Sequence, residues 1–344
     1  MFKGKRIIIA AIALIAIFAF AGLSNVFFGC FGGDDTDEIT IYSGRSENLI
    51  GPVFEKFTEE TGIEVNARYG DTAELAATIL EEGQNSPADI FFAQDAGALG
   101  ALAQENRLQN LSQEYLDQVD SRLRSPDNEW LGISGRARVV AYNTDKVDED
   151  ELPETIWGFT ESEWEGRIGW APANGSFQAF VTALRVIEGD EKAEEWLRGI
   201  QDNNPLEYHN NTSTIEGVGR GEAYVGFVNH YYLFRFIAEQ GDDFPVRNYY
   251  TTNDAGSMIN IAGIGALDVA ENDEAIDKFI EFLLIPEIQE HFVEENNEYP
   301  VVDSVETDDN LLKPLEEIDA PDIDLTNIDD LEGTLELLSE VGAL

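Results

Sequence analysis

From Glu38 onward, short apolar runs keep giving way to stretches in which apolar residues fall three and four apart. The first rhythm is that of strands and the second that of amphipathic helices. Glu38–Tyr42 reads as a strand. Glu47 to Thr61, with Leu49, Ile50, Val53, Phe54 and Phe57 on one face, reads as a helix closed by Gly62. Ile63–Tyr69 is the next strand, Ala73–Glu82 the next helix, and Asp89–Ala93 a buried strand behind Pro87. This β-α-β-α-β opening predicts an α/β architecture, whose ligands collect at the carboxyl ends of the strands. Here those ends feed the loops Ser43–Glu47, Gly70–Thr72 and Gln94–Asp95. A second unit follows. Arg136–Asn143 reads as a long strand able to cross between lobes, and Arg167–Trp170 as another strand. Ser176–Ile187 and Glu191–Ile200 read as helices, and Tyr224–Val228 as a strand running into His230-Tyr231-Tyr232. Asp273–Leu284 and a last segment around Leu331–Val341 are helical.

The first 29 residues follow a different grammar. Lys3, Lys5 and Arg6 precede an apolar run from Ile7 to Gly22, with no acidic residue before Asp34. That layout fits a secretory signal or a retained transmembrane anchor. Cys30, the only cysteine, stands after Gly29 and before a polar linker to Asp37, an arrangement that resembles a lipobox. A lone cysteine has no internal disulfide partner. Lys5-Arg6 in place of a twin arginine favours a Sec-type export route.

Charge then narrows the partners. The chain carries 68 Asp and Glu against 21 Lys and Arg, a formal net charge of −47. Loss of residues 1–29 removes three cations and no anion, which brings the mature chain to −50. Nucleic acid is excluded as a partner. Hydrophobic residues at 43% and aromatics at 10% are enough for folded cores, so the charge belongs to a surface. Lysine is scarce, and carboxylates crowd nearly every loop. The pattern resembles adaptation to high salt, where the Debye length falls to about 3 Å at 1 M and self-repulsion is suppressed.

Nucleophiles and bases are thinly supplied. His209, His230 and His291 match no zinc spacing and no Gly-x-Ser-x-Gly turn, and carboxylate pairs are expected by chance in so acidic a chain. Two other features carry more. In Ala171–Phe177 the chain turns through Pro172 and Gly175 into a helix, and free backbone N–H groups with Asn174 and Ser176 make an anion-ready helix start. Asn211-Thr212-Ser213 repeats the arrangement. Asn229-His230-Tyr231-Tyr232 then offers two phenols just past a strand. Fe(III) is a hard acid that prefers anionic oxygen, and phenolate is a strong donor once the metal displaces its proton.

The segments Ile41–Gly44, Ser86–Phe92, Ser134–Val140, Ala171–Phe177, Asn229–Tyr232 and Glu298–Val301 occur in an order that resembles the ferric-ion-binding proteins of ABC iron importers. These form the bacterial-transferrin-like group of the type II periplasmic binding proteins. The resemblance implies a two-lobed α/β fold with strands crossing near Arg136–Val140 and Ile261–Ile264. It implies a signal over 1–29, a lipid-anchored linker over 30–37, one lobe from 38–137 with 263–312, and another from 138–262 with 313–344. It makes Fe(III) the cargo, with Tyr231 and Tyr232 as ligands. Asn174, Gly175, Ser176, Asn211 and Asn229 would hold a synergistic anion, phosphate or carbonate, with Arg136 as a further candidate. The partners implied are an ABC permease and its ATPase, with the protein a monomer held outside the membrane by lipid on Cys30.

The first lobe departs from the group's pattern. Ser46 stands where a histidine ligand is common and Gln94 where a glutamate is, which leaves Ser46, Glu47, Gln94 and Asp95 as open candidates. Phe177 and its neighbours supply no third tyrosine. Two other readings stay open. The same fold can carry another anion, a polyamine or a thiamine-like cation, or the chain can be an extracellular cleft enzyme. For the lipobox, a Cys30→Ser variant is expected to leave the membrane fraction or to remain unprocessed, as checked by fractionation and the mass of the product. A processed variant that stays membrane-bound contradicts it.

Overall fold

The computed structural model describes residues 38–305 and 312–344. The signal, the linker and Cys30 lie outside them. Among the described residues no helix is long and apolar enough to cross a membrane.

The chain opens with β1 (Glu38–Ser43), α1 (Glu47–Thr61), β2 (Glu64–Tyr69), α2 (Thr72–Glu82), β3 (Ile90–Ala93) and α3 (Ala96–Gln104). The short α4 (Gln113–Leu116) leads to β4 (Leu131–Asn143). Next come β5 (Ile168–Trp170), α5 (Gly175–Glu188), α6 (Asp190–Asp202), β6 (Leu206–Glu207) and α7 (Asn211–Gly219). They are followed by β7 (Val225–Asn229), α8 (Tyr232–Gln240), β8 (Val246–Tyr249) and β9 (Ile259–Ala266). The helices α9 (Asp273–Leu284), α10 (Pro286–Asn296) and α11 (Leu331–Glu340) complete the order.

The strands line up as β2-β1-β3-β9-β4-β7-β5-β6, with β8 also paired to β4. β2, β1 and β3 are parallel and end in register, Ser43 beside Tyr69 and Phe92, so the loops after them share one edge. β6, β5 and β7 are a second parallel set. Between the sets, β4 does two jobs. Residues up to Ala137 pair antiparallel with β9, and from Arg138 onward the strand pairs with β7, and from Val140 also with β8. All thirteen of its residues are buried. The result is two lobes on one continuous strand.

Local sequence explains most boundaries. Asp71 caps α2 through the amides of Ala73 and Glu74, and Asn272 caps α9 through Ala275. Pro286 opens α10 at a position where its missing N–H costs nothing. Gly44 is required where it stands, because a Cβ there would lie 2.0 Å from Thr72 Oγ1. β4 starts five residues before the Arg136 start that periodicity suggests, because Gly132 and Gly135 interrupt the apolar pattern while the pairing with β9 continues through a register shift between Gly132 and Ser134. α3, rich in alanine and glycine, and α10 are helices the spacing left unmarked.

The second lobe is held by an aromatic lattice. Trp196 is fully buried, meets Phe180 and Phe227 edge-on at 5.3 Å each, and donates from Nε1 to the Ile156 carbonyl. Phe177 meets Trp170 edge-on at 5.7 Å. Each such pair contributes about 0.5–1.5 kcal/mol beyond area burial. Because Phe177 and Phe180 belong to α5 and Phe227 to β7, the lattice fixes where Asn174 and Asn229 stand.

The tail divides between the lobes, whereas the resemblance assigns all of 313–344 to the second. Leu325 and Ile328 are buried beside α3, where the Thr326 and Ile328 carbonyls sit over Gly100 and Gly97. Asp329 accepts from Gln104 of α3 at 2.9 Å, while its neighbour Asp330 binds Arg185 of α5 at 2.8 Å. Beyond it, Thr334 of α11 bonds Thr182 of α5 at 2.8 Å. A Cβ on Gly100 would lie 2.3 Å from the Thr326 carbonyl oxygen. Gly100→Ala is therefore expected to cost about 1–3 kcal/mol, read as a lowered thermal midpoint, while an unchanged midpoint would show that the tail yields freely.

Candidate metal and anion site

Three helices start at the carboxyl ends of the second parallel set. β5 leads to α5, β6 to α7 and β7 to α8, so Asn174, Asn211 and Tyr231 come to one edge for the same topological reason. Asn174 Oδ1 accepts from the Ser176 amide at 3.2 Å and from Ser176 Oγ at 2.6 Å. Asn211 Nδ2 donates to Asn174 Oδ1 at 2.9 Å and to Ser176 Oγ at 2.8 Å. Asn211 Oδ1 in turn accepts the Asn229 amide at 3.1 Å. Gly175 faces open space, since a Cβ there would meet nothing within 4 Å. The four polar candidates thus form one network around an uncovered helix start, which is the arrangement that receives anions.

Arg138 extends this network, and sequence reasoning missed it. Its Nη1 donates to Asn229 Oδ1 at 3.2 Å and its Nη2 to the Phe227 carbonyl at 2.7 Å, while Nε is buried without a partner. Burial pushes this guanidinium down to about 9, opposed by the nearby phenols of Tyr231 and Tyr232. Arg136 goes elsewhere, to the carbonyls of Gln94 and Ile261. Register decides between the two arginines. Arg138 is the cross-strand partner of Asn229, and Arg136 that of Asn260 on β9.

Tyr231 and Tyr232 are half-buried and stacked, with ring centroids 4.5 Å apart at 29°. β7 stops at Asn229 and α8 starts at Tyr232, so Tyr231 occupies the short junction that lets two consecutive side chains lie together. Burial and then the Tyr231 phenol push Tyr232 well above its ordinary value. Arg235, one turn along α8, lies over both rings, 5.8 Å from Tyr231 and 5.3 Å from Tyr232. That arginine too went unread, because the helix after the tyrosines was unread.

The first-lobe candidates are placed differently. Ser46 and Glu47 are exposed at the start of α1, and Glu47 lies near Tyr69, whose phenol is raised by burial first and then by this carboxylate. Asp95 caps α3 through Ala98, and burial raises its carboxyl while Arg136 opposes. Gln94 Oε1 is buried without a partner. Among the described residues no cluster of three or more His, Cys, Asp or Glu side chains is set to hold a metal. Phe177 is buried beneath Arg138 at 5.7 Å. A cavity of about 850 Å³ opens beside α8 between Tyr250, Arg247 and Lys313, and none of the candidate residues lines it.

His230 is structural. Its Nδ1 accepts the Ala137 amide at 3.1 Å, which puts the proton on Nε2, and Nε2 donates to the Asn297 carbonyl at 2.8 Å. Burial lowers it to about 4, against the Asn297 bond and the Glu298 charge.

Fold and site together define a two-lobed solute-binding protein of the type II periplasmic kind, with its polar residues gathered at strand ends. The chain belongs to the bacterial extracellular solute-binding protein family, which matches residues 53–316. It is 30% identical over 313 residues to the major ferric iron-binding protein of Neisseria meningitidis serogroup A, covering 89% of this chain and 93% of that one. Among solved structures it is similar to iron-bound HitA from Pseudomonas aeruginosa, with a TM-score of 0.79, 31% identity, and 89% and 99% of the two chains covered. A Trichodesmium protein in complex with iron and citrate ligands gives the same TM-score of 0.79 at 33% identity and the same coverage.

The histidine yields a pH prediction for the iron-free protein. A group kept neutral in the fold binds its proton more readily when unfolded, so the neutral form's stabilisation is complete above pH 6.5 and is lost as pH falls toward 4. The loss amounts to roughly 3 kcal/mol. Denaturant melts should show wild type losing that much more stability than His230→Asn across this window, and parallel profiles would contradict it.

Proposed function

We propose that this protein captures ferric iron between its lobes and delivers it to an ABC permease and its ATPase. Tyr231 and Tyr232 bind the metal as phenolates. Asn174, Gly175, Ser176, Asn211 and Asn229 hold a small anion, phosphate or carbonate, that fills coordination positions the protein leaves open. Citrate, present in the Trichodesmium relative, is a third candidate for that anion. Arg138 and Arg235 offset the negative charge of phenolates and anion. One observation carries the reading: a stacked tyrosine pair set beside a helix-start network of Asn174, Ser176, Asn211 and Asn229.

The chemistry follows from the state of the phenols. Tyr232 keeps its proton at neutral pH, so the metal must displace it, and binding weakens as pH falls. The tyrosines come from one lobe and the Gln94–Asp95 loop from the other, so closure of the hinge gives the permease a loaded form to recognise. Export, lipid attachment at Cys30, a monomeric state and a surface suited to high salt complete the proposal.

Phenolate bound to Fe(III) produces a visible charge-transfer band. Tyr231→Phe and Tyr232→Phe retain the rings, so folding should survive while the band weakens or disappears. Affinity should fall by more than the roughly 10–100-fold typical of losing an outer-shell partner. Ferric titration followed by absorbance checks this. A double variant that still forms the coloured complex would overturn the assignment.

A further inference from the structure

Three consecutive residues after α10 are tied to both lobes at once. Asn297, in the left-handed region at φ 54°, ends the helix, and its carbonyl takes the His230 Nε2–H. Glu298 accepts from Arg45 Nη1 at 3.2 Å and Nη2 at 2.9 Å, and from Ser134 Oγ at 2.7 Å. Tyr299 exchanges both backbone hydrogen bonds with Gly135 at 2.8 Å each, shares a 2.8 Å hydroxyl bond with Tyr250, and lies 4.6 Å from the His230 ring.

The neighbours of these partners matter. His230 precedes Tyr231, Arg45 precedes Ser46 and Glu47, and Gly135 precedes Arg136 on the crossing strand. Arg45 and His230 are 1% and 0% exposed, and Glu298 and Tyr299 are 3% and 0%, so the junction is dry. Arg45 is also held between the rings of Phe92 and Phe292, 6.0 and 5.6 Å from its guanidinium carbon. Burial alone would raise the Glu298 carboxyl, but Arg45, Arg136 and Ser134 hold it below its ordinary value. A buried ion pair is seldom a better stabiliser than apolar packing of the same volume, so its use here points to placement.

We propose that Asn297–Tyr299 is the positioning element that fixes the two cleft loops to one point at the hinge, with Glu298 the positioning residue for the first-lobe loop Arg45–Glu47. The inference rests on the reading that iron lies beside Tyr231 and Tyr232. Glu298 touches no iron. It acts through Arg45 by holding that loop where closure carries it toward the tyrosines, so its loss speeds iron release and leaves the tyrosines' own chemistry intact.

The test uses the full mature chain with Glu298→Gln and with the double variant Arg45→Met/Glu298→Leu, which removes the pair without stranding a buried charge. Ser134→Ala, which removes one bond to Glu298 and leaves the ion pair, serves if the others do not fold. Four quantities are measured: the thermal midpoint, the ferric charge-transfer band, inorganic phosphate binding to the iron-free protein, and iron release to excess EDTA. Compaction on loading is followed by small-angle scattering. In the folded double variant the band position and phosphate affinity should match wild type, while release is at least about tenfold faster and compaction is reduced. Ser134→Ala should accelerate release severalfold. Wild-type release and compaction in a folded variant would overturn the inference, as would a parallel loss of phosphate affinity, which marks a general structural role. Should the Tyr→Phe variants lose the band while the Glu298 variants behave as wild type, only this inference falls. Should the Tyr→Phe variants keep their colour, the iron reading falls.

Discussion

The division of β4 between two partners is the constraint on which the rest of the molecule depends. Up to Ala137 its ladder is completed by β9, and from Arg138 by β7, and each half then carries its own parallel set outward. The β4–β9 ladder shifts register between Gly132 and Ser134 and is then continuous up to the start of the pairing with β7, so both lobes are tied to the same buried strand. The candidate site follows from this arrangement, since the parallel strands of each set end together and the loops after those ends carry the polar residues.

Electrostatics add a second layer. The surface is strongly acidic, yet the walls around the tyrosine pair are supplied with Arg136, Arg138 and Arg235. Two of these spend their donors on carbonyls and an amide oxygen instead of on carboxylates. Arg138, whose donors go to the Asn229 amide oxygen and the Phe227 carbonyl, keeps positive charge beside the tyrosines under an anionic exterior.

Much of the second-lobe site was legible in sequence because its parts are local. A polar residue before a helix announces a cap, and Asn174 stands where that rule puts it, while α7 is capped one residue earlier than read, by Asn210, and Asn211 is its first helical residue. The tyrosine pair was visible as a pair, although its strand lies one residue further along than the Tyr224–Val228 read from sequence and the helix behind it went unread, so Arg235 stayed hidden. Arg138 could not be distinguished from Arg136 because alternate residues share a strand face, and only register with β7 separates them. The Arg45–Glu298 pair spans 253 residues, and no periodicity reports a contact at that range. Ser46 was marked because it stands where the resembled group often has a histidine, and Glu47 as a neighbouring carboxylate, and both lie exposed at the start of α1.

The path of the chain through the two lobes also bears on how the protein is made. The first lobe's sheet lacks its inner strand until β9 at 259–266 exists, and α3 lacks its cover until Leu325–Ile328 arrives. A nascent chain therefore cannot complete the first lobe until residues far along the chain, through Ile328, have been made. Long-range closure of this kind slows folding, since the entropy of joining distant segments is lost before their contacts form. The opening β-α-β-α-β segment must therefore wait, incompletely covered, for partners that lie far along the chain.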